Sequence, residues 1–217
     1  MQRSNNKVES DVREELEWDP LIDGSRIIVR ANDGLVTLTG VVGTYYELTR
    51  ASEDAWKIRG VTGVDNELRV GLLGEVVEDD VILADSVAAL DADNHVPKGS
   101  LTVLVTDGWV TLRGEVRHHF EKTSARHAVG RVAGVLGITD EITIGSQPIP
   151  SDVADRINKA FRRSAIIDDS RIQVSSSGHT IYLDGEVGSW FAMRDAENAA
   201  WNAPGVTNVV DRLLIDA

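Results

Sequence analysis

The same block of sequence occurs three times in this chain, and this repetition restricts the fold more than any other feature. Aligned on the reference glycines Gly40, Gly114 and Gly185, the copies are spaced by 74 and 71 residues. Twenty residues after each reference glycine comes a second one, at Gly60, Gly134 and Gly205. No gap interrupts the matched apolar positions between them. The pattern indicates one small structural unit used three times.

Each copy shows the same order of predicted elements. It opens with a helix whose apolar residues recur every four positions, such as Val153, Ile157 and Phe161. Two alternating strands follow on either side of a turn such as Asn32–Gly34, which is typical of a β-hairpin. A second, alanine-rich helix is expected to end at a glycine, Gly134 in the second copy, and a last strand closes the unit.

This order predicts an α+β fold of three tandem αββαβ units, each a small three-stranded sheet with two helices on one face. We place the units at residues 8–71, 78–145 and 150–216. The linkers 71–78 and 145–151 are short, so we expect the units to pack on one another. The six aligned glycines do not form a phosphate-binding motif, and we interpret them as structural positions where a side chain would clash.

The full set of motifs resembles the BON domain family. The resemblance rests on the glycine that ends VTLTG and VTLRG, and on the closing phrases GVTGVDNEL, GVLGITDEI and GVTNVVDRL. It covers nearly the whole chain and implies a small α/β module without known catalytic residues. Members occur in bacterial osmotic-stress proteins and in envelope and pore-forming proteins, where phospholipid or membrane-surface binding has been proposed. Some cytosolic relatives are linked to potassium sensing.

Composition narrows the classes of partner. The chain carries 22 basic and 35 acidic side chains, a formal net charge of -13, which disfavours nucleic acid as a partner. It has 0 cysteines, which excludes disulfides and thiolate catalysis. The N-terminal residues do not show the pattern of a secretory signal, so we expect a cytoplasmic protein. A periplasmic location is expected only if a leader has been removed.

The titratable residues do not suggest catalysis or a resident cofactor. His118, His119 and His127 form the one histidine cluster, but His119 and His127 lie two helical turns apart, too far to share a metal ion. We find no nucleophile–base pair or cofactor motif, and we predict neither an enzyme nor a metal site. The acidic pairs, such as Asp168 and Asp169, leave open a weak site for K⁺ or Ca²⁺.

One basic face stands against this acidic background. The third copy's first helix carries Arg156, Lys159, Arg162 and Arg163, three of them on one side. This face fits lipid headgroups, and it equally fits the acidic surface of another unit. The exposed-looking apolar stretch that begins Trp190-Phe191 is a second candidate surface.

The tryptophans are candidates for interfaces. Trp56 and Trp201 occupy equivalent positions in the first and third copies, where the second copy has Gly130, and Trp109 has no counterpart. We expect them at the edge of each core or in contacts between units or chains.

These observations favour a non-enzymatic binding or scaffold protein, associated with stress or with a membrane surface, that binds phospholipid or protein. Two alternatives stay open. One is a homo-oligomer that forms a ring or filament, and the other is a cytosolic protein that responds to K⁺ or Ca²⁺.

Overall fold

The computed structural model describes residues 3–71 and 77–216, and each copy of the repeat folds as the sequence predicts. The helices are α1 (Asn5–Trp18), α2 (Tyr45–Trp56), α3 (Asp79–Ala92), α4 (His119–Gly130), α5 (Val153–Phe161) and α6 (Trp190–Trp201). The strands are β1 (Ile27–Asn32), β2 (Leu35–Val42), β3 (Gly63–Val70), β4 (Leu101–Thr106), β5 (Trp109–Val116), β6 (Gly137–Ile144), β7 (Ile172–Ser177), β8 (Thr180–Val187) and β9 (Asn208–Ile215). The predicted linker 71–78 falls largely on residues 72–76, which lie outside the described residues.

The three copies, called repeats 1 to 3, each contain a three-stranded sheet, with strand orders β1-β2-β3, β4-β5-β6 and β7-β8-β9. In repeats 1 and 3 the central strand pairs antiparallel with the first strand and parallel with the third. A parallel neighbour requires a crossover, which the second helix of the repeat provides. In repeat 1, α1 packs against β1 and against α2, so both helices cover the same face of the sheet. The α+β prediction is confirmed.

The described residues divide into two compact units. The first contains repeat 1 and most of repeat 2, through Glu115 and again over Phe120–Ile142. The second contains Val116–His119 and repeat 3 from Thr143 onward. The four-residue period of α5 buries Val153, Ile157 and Phe161 against the sheet, as predicted.

The second helix of each repeat ends earlier than the sequence suggested. In repeat 2, α4 ends at Gly130 rather than at Gly134. Gly134 instead closes the turn that leads into β6, with φ of +88°. Positive φ favours glycine because a Cβ atom is strained there, so the glycine terminates the connection rather than the helix.

Each reference glycine lies in the central strand of its sheet, opposite the first residue of the first strand. Gly185 has φ of +131°, and a Cβ atom on it would lie 2.1 Å from the carbonyl oxygen of Arg171. Gly40 and Gly114 show the same approach to the residue before their own first strand. A side chain at these positions would collide with backbone atoms, which explains why each repeat has a glycine here.

Candidate functional site

The crevice between the two helices of repeat 1 is filled by a charged network. The Asp19 carboxylate accepts a hydrogen bond from Arg50 Nε at 2.7 Å. The Asp54 carboxylate is fully buried; its Oδ1 accepts from Lys57 Nζ and lies 3.8 Å from Arg50 Nε. Among the described residues, Asp54 Oδ2 has no hydrogen-bond partner. The network therefore joins the end of α1 to α2 and contains one incompletely satisfied carboxylate.

Burial acts on the two carboxylates of this network with different outcomes. Burial raises the pKa of Asp54 to about 6, against the hydrogen bond from Lys57 that lowers it. Burial also tends to raise the pKa of Asp19, but hydrogen bonds from the Leu21 backbone N–H and from Arg50 outweigh it and leave that pKa lowered. Of these two carboxylates, Asp54 is the one whose surroundings destabilise the charged form.

We expect Asp54→Asn to stabilise the protein at neutral pH. The pKa of Asp54 is about 6 in the folded state and 3.8 in a free side chain. Asp54 therefore supports folding below the free-side-chain value, and this contribution is lost as the pH rises through about 6. The variant should exceed the wild type by about 1–2 kcal/mol near pH 7 and match it at the acid end of that range.

Urea unfolding of both proteins across this pH range, with Asp65→Asn as an exposed-site control, measures the difference. Parallel pH profiles for the wild type and Asp54→Asn would contradict the assignment.

The equivalent crevice in repeat 3 is open. Its residues are shorter than their counterparts Asp19, Arg50, Asp54 and Lys57, and they are Ser164, Asp195, Ala199 and Asn202. A groove of about 470 Å³ remains between α5 and α6. Ser164 Oγ donates a hydrogen bond to Asp195 Oδ2 at 2.7 Å. Arg163 and Ile166, which is 56% exposed, line the same groove.

The basic face predicted on α5 borders this groove. Lys159, Arg162 and Arg163 are exposed at the end of the helix, and an Arg163 guanidinium N–H donates to the Lys159 carbonyl oxygen at 2.9 Å. Arg156 lies one turn earlier, where its Nε donates to the Asp152 carboxylate at 2.9 Å. Asp152 occupies the predicted N-cap position but makes no side-chain capping bond. The positive charge of the face is therefore concentrated beside the groove.

The charge of this face is inverted relative to the other repeats. The counterparts of Arg156, Lys159 and Arg162 are Asp11, Glu14 and Glu17 in repeat 1, and Asp85, Ala88 and Asp91 in repeat 2. At these three positions, only repeat 3 carries cations. The fold does not require this charge, because the same helix forms with acidic residues in α1.

The predicted apolar stretch at the start of α6 is partly exposed. Phe191 is 47% exposed, whereas Trp190 is half-buried and meets Phe191 edge-on at 5.5 Å between ring centroids. The Arg194 guanidinium lies 5.7 Å from the centroid of the Trp190 ring. Ser189 caps the helix by accepting a hydrogen bond from the Ala192 N–H. This capping fixes both aromatic residues at the first turn.

The other tryptophans differ in their surroundings. Trp56 and Trp201 are half-buried at the edges of the cores of repeats 1 and 3. Trp109 begins β5, is 55% exposed and covers Gly137, where a Cβ atom would lie 2.4 Å from its ring. Trp109 therefore has a local packing partner in its own repeat.

The histidines have partners other than metal ions. Burial lowers the pKa of His127, which lies edge-on to the Tyr46 ring at 5.6 Å between centroids. Among residues 3–71 and 77–216, no three His, Asp or Glu side chains are grouped so that they could hold a metal ion. In the same part of the chain, no helix has the length and apolar character needed to cross a bilayer.

Three features of the structure were not predicted from the sequence. They are the buried Asp54, the groove between α5 and α6, and the contact of Tyr46 with repeat 2. The aligned sequence carries a signal for two of them. Asp54 is replaced by Ala128 and Ala199 in the other repeats, and Gly130 replaces a tryptophan.

Comparisons with known proteins agree with the repeat pattern. The model of the BON domain family matches residues 4–71, 78–146 and 151–217. Osmotically-inducible protein Y of Escherichia coli (strain K12) is 29% identical over 126 residues, which are 56% of this chain and 63% of that protein. The chain therefore spans less than two thirds of this curated relative.

Two solved structures also align over most of the chain. One is of CdsD, a structural protein of the type III secretion system of Chlamydia trachomatis, with 12% identity and a TM-score of 0.27 over 97% of this chain and 92% of that one. The other is the C-terminal domain of CdsD, with 12% identity and a TM-score of 0.28 over 99% and 100% of the two chains.

Proposed function

Because this chain belongs to the BON domain family, we propose that it is a non-enzymatic, stress-related binding protein that attaches to an anionic phospholipid surface through repeat 3. The family and the similarity to an osmotically inducible protein support the stress-related binding role. The charge inversion on α5 carries the proposal of a lipid surface. It is a departure from the repeat pattern that the fold itself does not need.

The chemistry of this surface suits a phospholipid headgroup. Arg163 offers a planar set of donors for a phosphate, and Lys159 adds a second cation on the same helix end. Exposed Ile166 at the groove provides an apolar side chain that can enter the boundary between headgroups and acyl chains. The acidic outer faces of α1 and α3 are repelled by the same membrane. Binding is therefore oriented, with repeat 3 towards the lipid.

We expect the double variant Lys159→Glu/Arg163→Glu to lose binding to vesicles that contain phosphatidylglycerol. Each basic residue near an anionic surface contributes about 1 kcal/mol, so reversal of two should weaken partitioning by at least a factor of about ten. Flotation at low salt, compared with neutral phosphatidylcholine vesicles, measures the effect.

The matched control is Arg13→Glu/Lys98→Glu, which changes the net charge equally at exposed positions of repeats 1 and 2. It should bind as the wild type does, after a small uniform loss from its added negative charge. If the wild type fails to float with anionic vesicles, or if both double variants lose binding equally, repeat 3 is not a lipid-binding surface.

A further inference from the structure

The first unit contains a contact between the second helices of repeats 1 and 2. The Arg131 guanidinium carbon lies 4.0 Å from the centroid of the Tyr46 ring, and His127 meets the same ring edge-on. Gly130 lies between them in α4, where a Cβ atom would be 3.5 Å from Tyr45 Cδ1 and from Tyr46 N. The N-terminal turn of α2 thus rests on the last turn of α4. Gly130 leaves room for it where the other repeats have tryptophan.

The second unit contains a contact between the same two positions. The rings of His119 and Trp201 stack with centroids 4.1 Å apart and an interplanar angle of 10°. His119 is the counterpart of Tyr45, and Trp201 is the counterpart of Gly130. A residue that starts the second helix of one repeat again meets a residue that ends the second helix of the next.

The two contacts define a directional interface with a donor end and an acceptor end. The donor end is the first turn of the second helix, and the acceptor end is its last turn. Within the described residues, these contacts use the donor ends of repeats 1 and 2 and the acceptor ends of repeats 2 and 3. The donor end of repeat 3, at Trp190 and Phe191, and the acceptor end of repeat 1, at Trp56, take part in neither.

We propose that the donor end of repeat 3 binds the acceptor end of repeat 1 in a second copy of this chain. Trp190 and Phe191 are the counterparts of His119 and Phe120, and Trp56 is the counterpart of Trp201. An aromatic residue would thus meet an aromatic residue across the interface, as His119 meets Trp201. Because the two surfaces differ, the contact is head-to-tail and produces an open filament or a closed ring.

The charges at the two ends are complementary. Arg194 lies beside the Trp190 ring at the donor end, where it is also paired with Glu197 at 2.8 Å. Glu53 lies one turn before Trp56 at the acceptor end, with Arg50 at 3.9 Å, and at the position that His127 occupies in the contact with Tyr46. A guanidinium on one copy would therefore face a carboxylate on the next. This interface uses α6 and α2, so it does not depend on lipid binding by α5.

Two single substitutions, one at each end, test the interface. Phe191→Asp places a charge at an exposed position of the donor end, and Glu53→Arg reverses the charge of the acceptor end. Sedimentation velocity of the wild type should show masses that grow from 23.6 kDa with concentration. Each variant alone should lose at least about tenfold in association constant, as expected for a residue central to an interface.

Mixing the two variants distinguishes a head-to-tail interface from a symmetric one. Phe191→Asp retains a working acceptor end and Glu53→Arg retains a working donor end, so the mixture should form dimers that do not grow further. Val87→Asp serves as the control, because it lies on the exposed apolar side of α3, which is a different surface.

The proposal is overturned if the wild type remains at 23.6 kDa over tens of micromolar. It is equally overturned if the mixture does not dimerise, or if Val87→Asp abolishes association while the two end variants do not. The last result would instead assign self-association to α3.

Discussion

Replacement of Gly185 by alanine is expected to unfold repeat 3 while repeat 1 stays folded. Gly185 has φ of +131°, a conformation that L-residues rarely adopt, and its added Cβ atom would lie 2.1 Å from the carbonyl oxygen of Arg171. The obstructing atom belongs to the backbone of the residue just before β7, so it cannot rotate away. The strain and the collision together should cost about 3 kcal/mol or more. This is a large share of the stability of so small a unit.

Hydrogen exchange followed by mass spectrometry can locate this effect. Peptides from residues 151–216 should exchange faster in Gly185→Ala, and peptides from residues 5–70 should not change. Two glycines of the same repeat separate the causes. Gly178 has a positive φ of +55°, but an added Cβ atom would meet nothing within 4 Å. An added Cβ atom at Gly188 would also meet nothing within 4 Å, and its φ lies outside the left-handed region. We expect a loss of about 1 kcal/mol at Gly178 and almost none at Gly188. Equal effects at all three positions would refute the steric explanation.

The repeated glycines show why the fold could be predicted from the sequence. Because the pattern occurs three times, each position can be compared with its counterparts in the other two repeats. The apolar period of α5 and the turn at Asn32–Gly34 could be checked in this way. The pattern also fixes strand pairing, because Gly185 opposes Ile172 in the hairpin register. Such features are local, or they are repeated, and both kinds are visible in a linear sequence.

The surfaces depend on combinations that a linear sequence does not show. The groove of repeat 3 requires short side chains both on α6 and in the segment after α5. Long side chains at either place would fill it. Asp54 lies in an alanine-rich helix, where a carboxylate is normally interpreted as solvent-facing, yet its side chain is fully buried. Gly130 could be noticed as an exception, but only the ring of Tyr45 and the backbone of Tyr46 beside it explain the missing side chain.

Replacement of Phe161 by alanine is expected to detach α5 from its sheet and, with it, the basic face. Phe161 is the largest side chain that is fully buried, and it is the last of the three apolar residues that hold the helix. A buried phenylalanine replaced by alanine loses its transfer free energy and leaves a cavity, which together cost about 3–5 kcal/mol. Lys159 and Arg163 lie on either side of it in sequence, so their position depends on this anchor.

Phe191→Ala supplies the matched comparison, because it removes the same side chain from an exposed position of the same repeat. Urea unfolding monitored by hydrogen exchange in residues 151–216 should show a large loss for Phe161→Ala and a change of about 0.5 kcal/mol or less for Phe191→Ala. Vesicle flotation should fall with Phe161→Ala and persist with Phe191→Ala, since lipid binding is assigned to α5 and not to the start of α6. Retained flotation in a variant whose repeat 3 has lost its exchange protection would show that the cations act without the folded helix, and the groove would then have no part in binding.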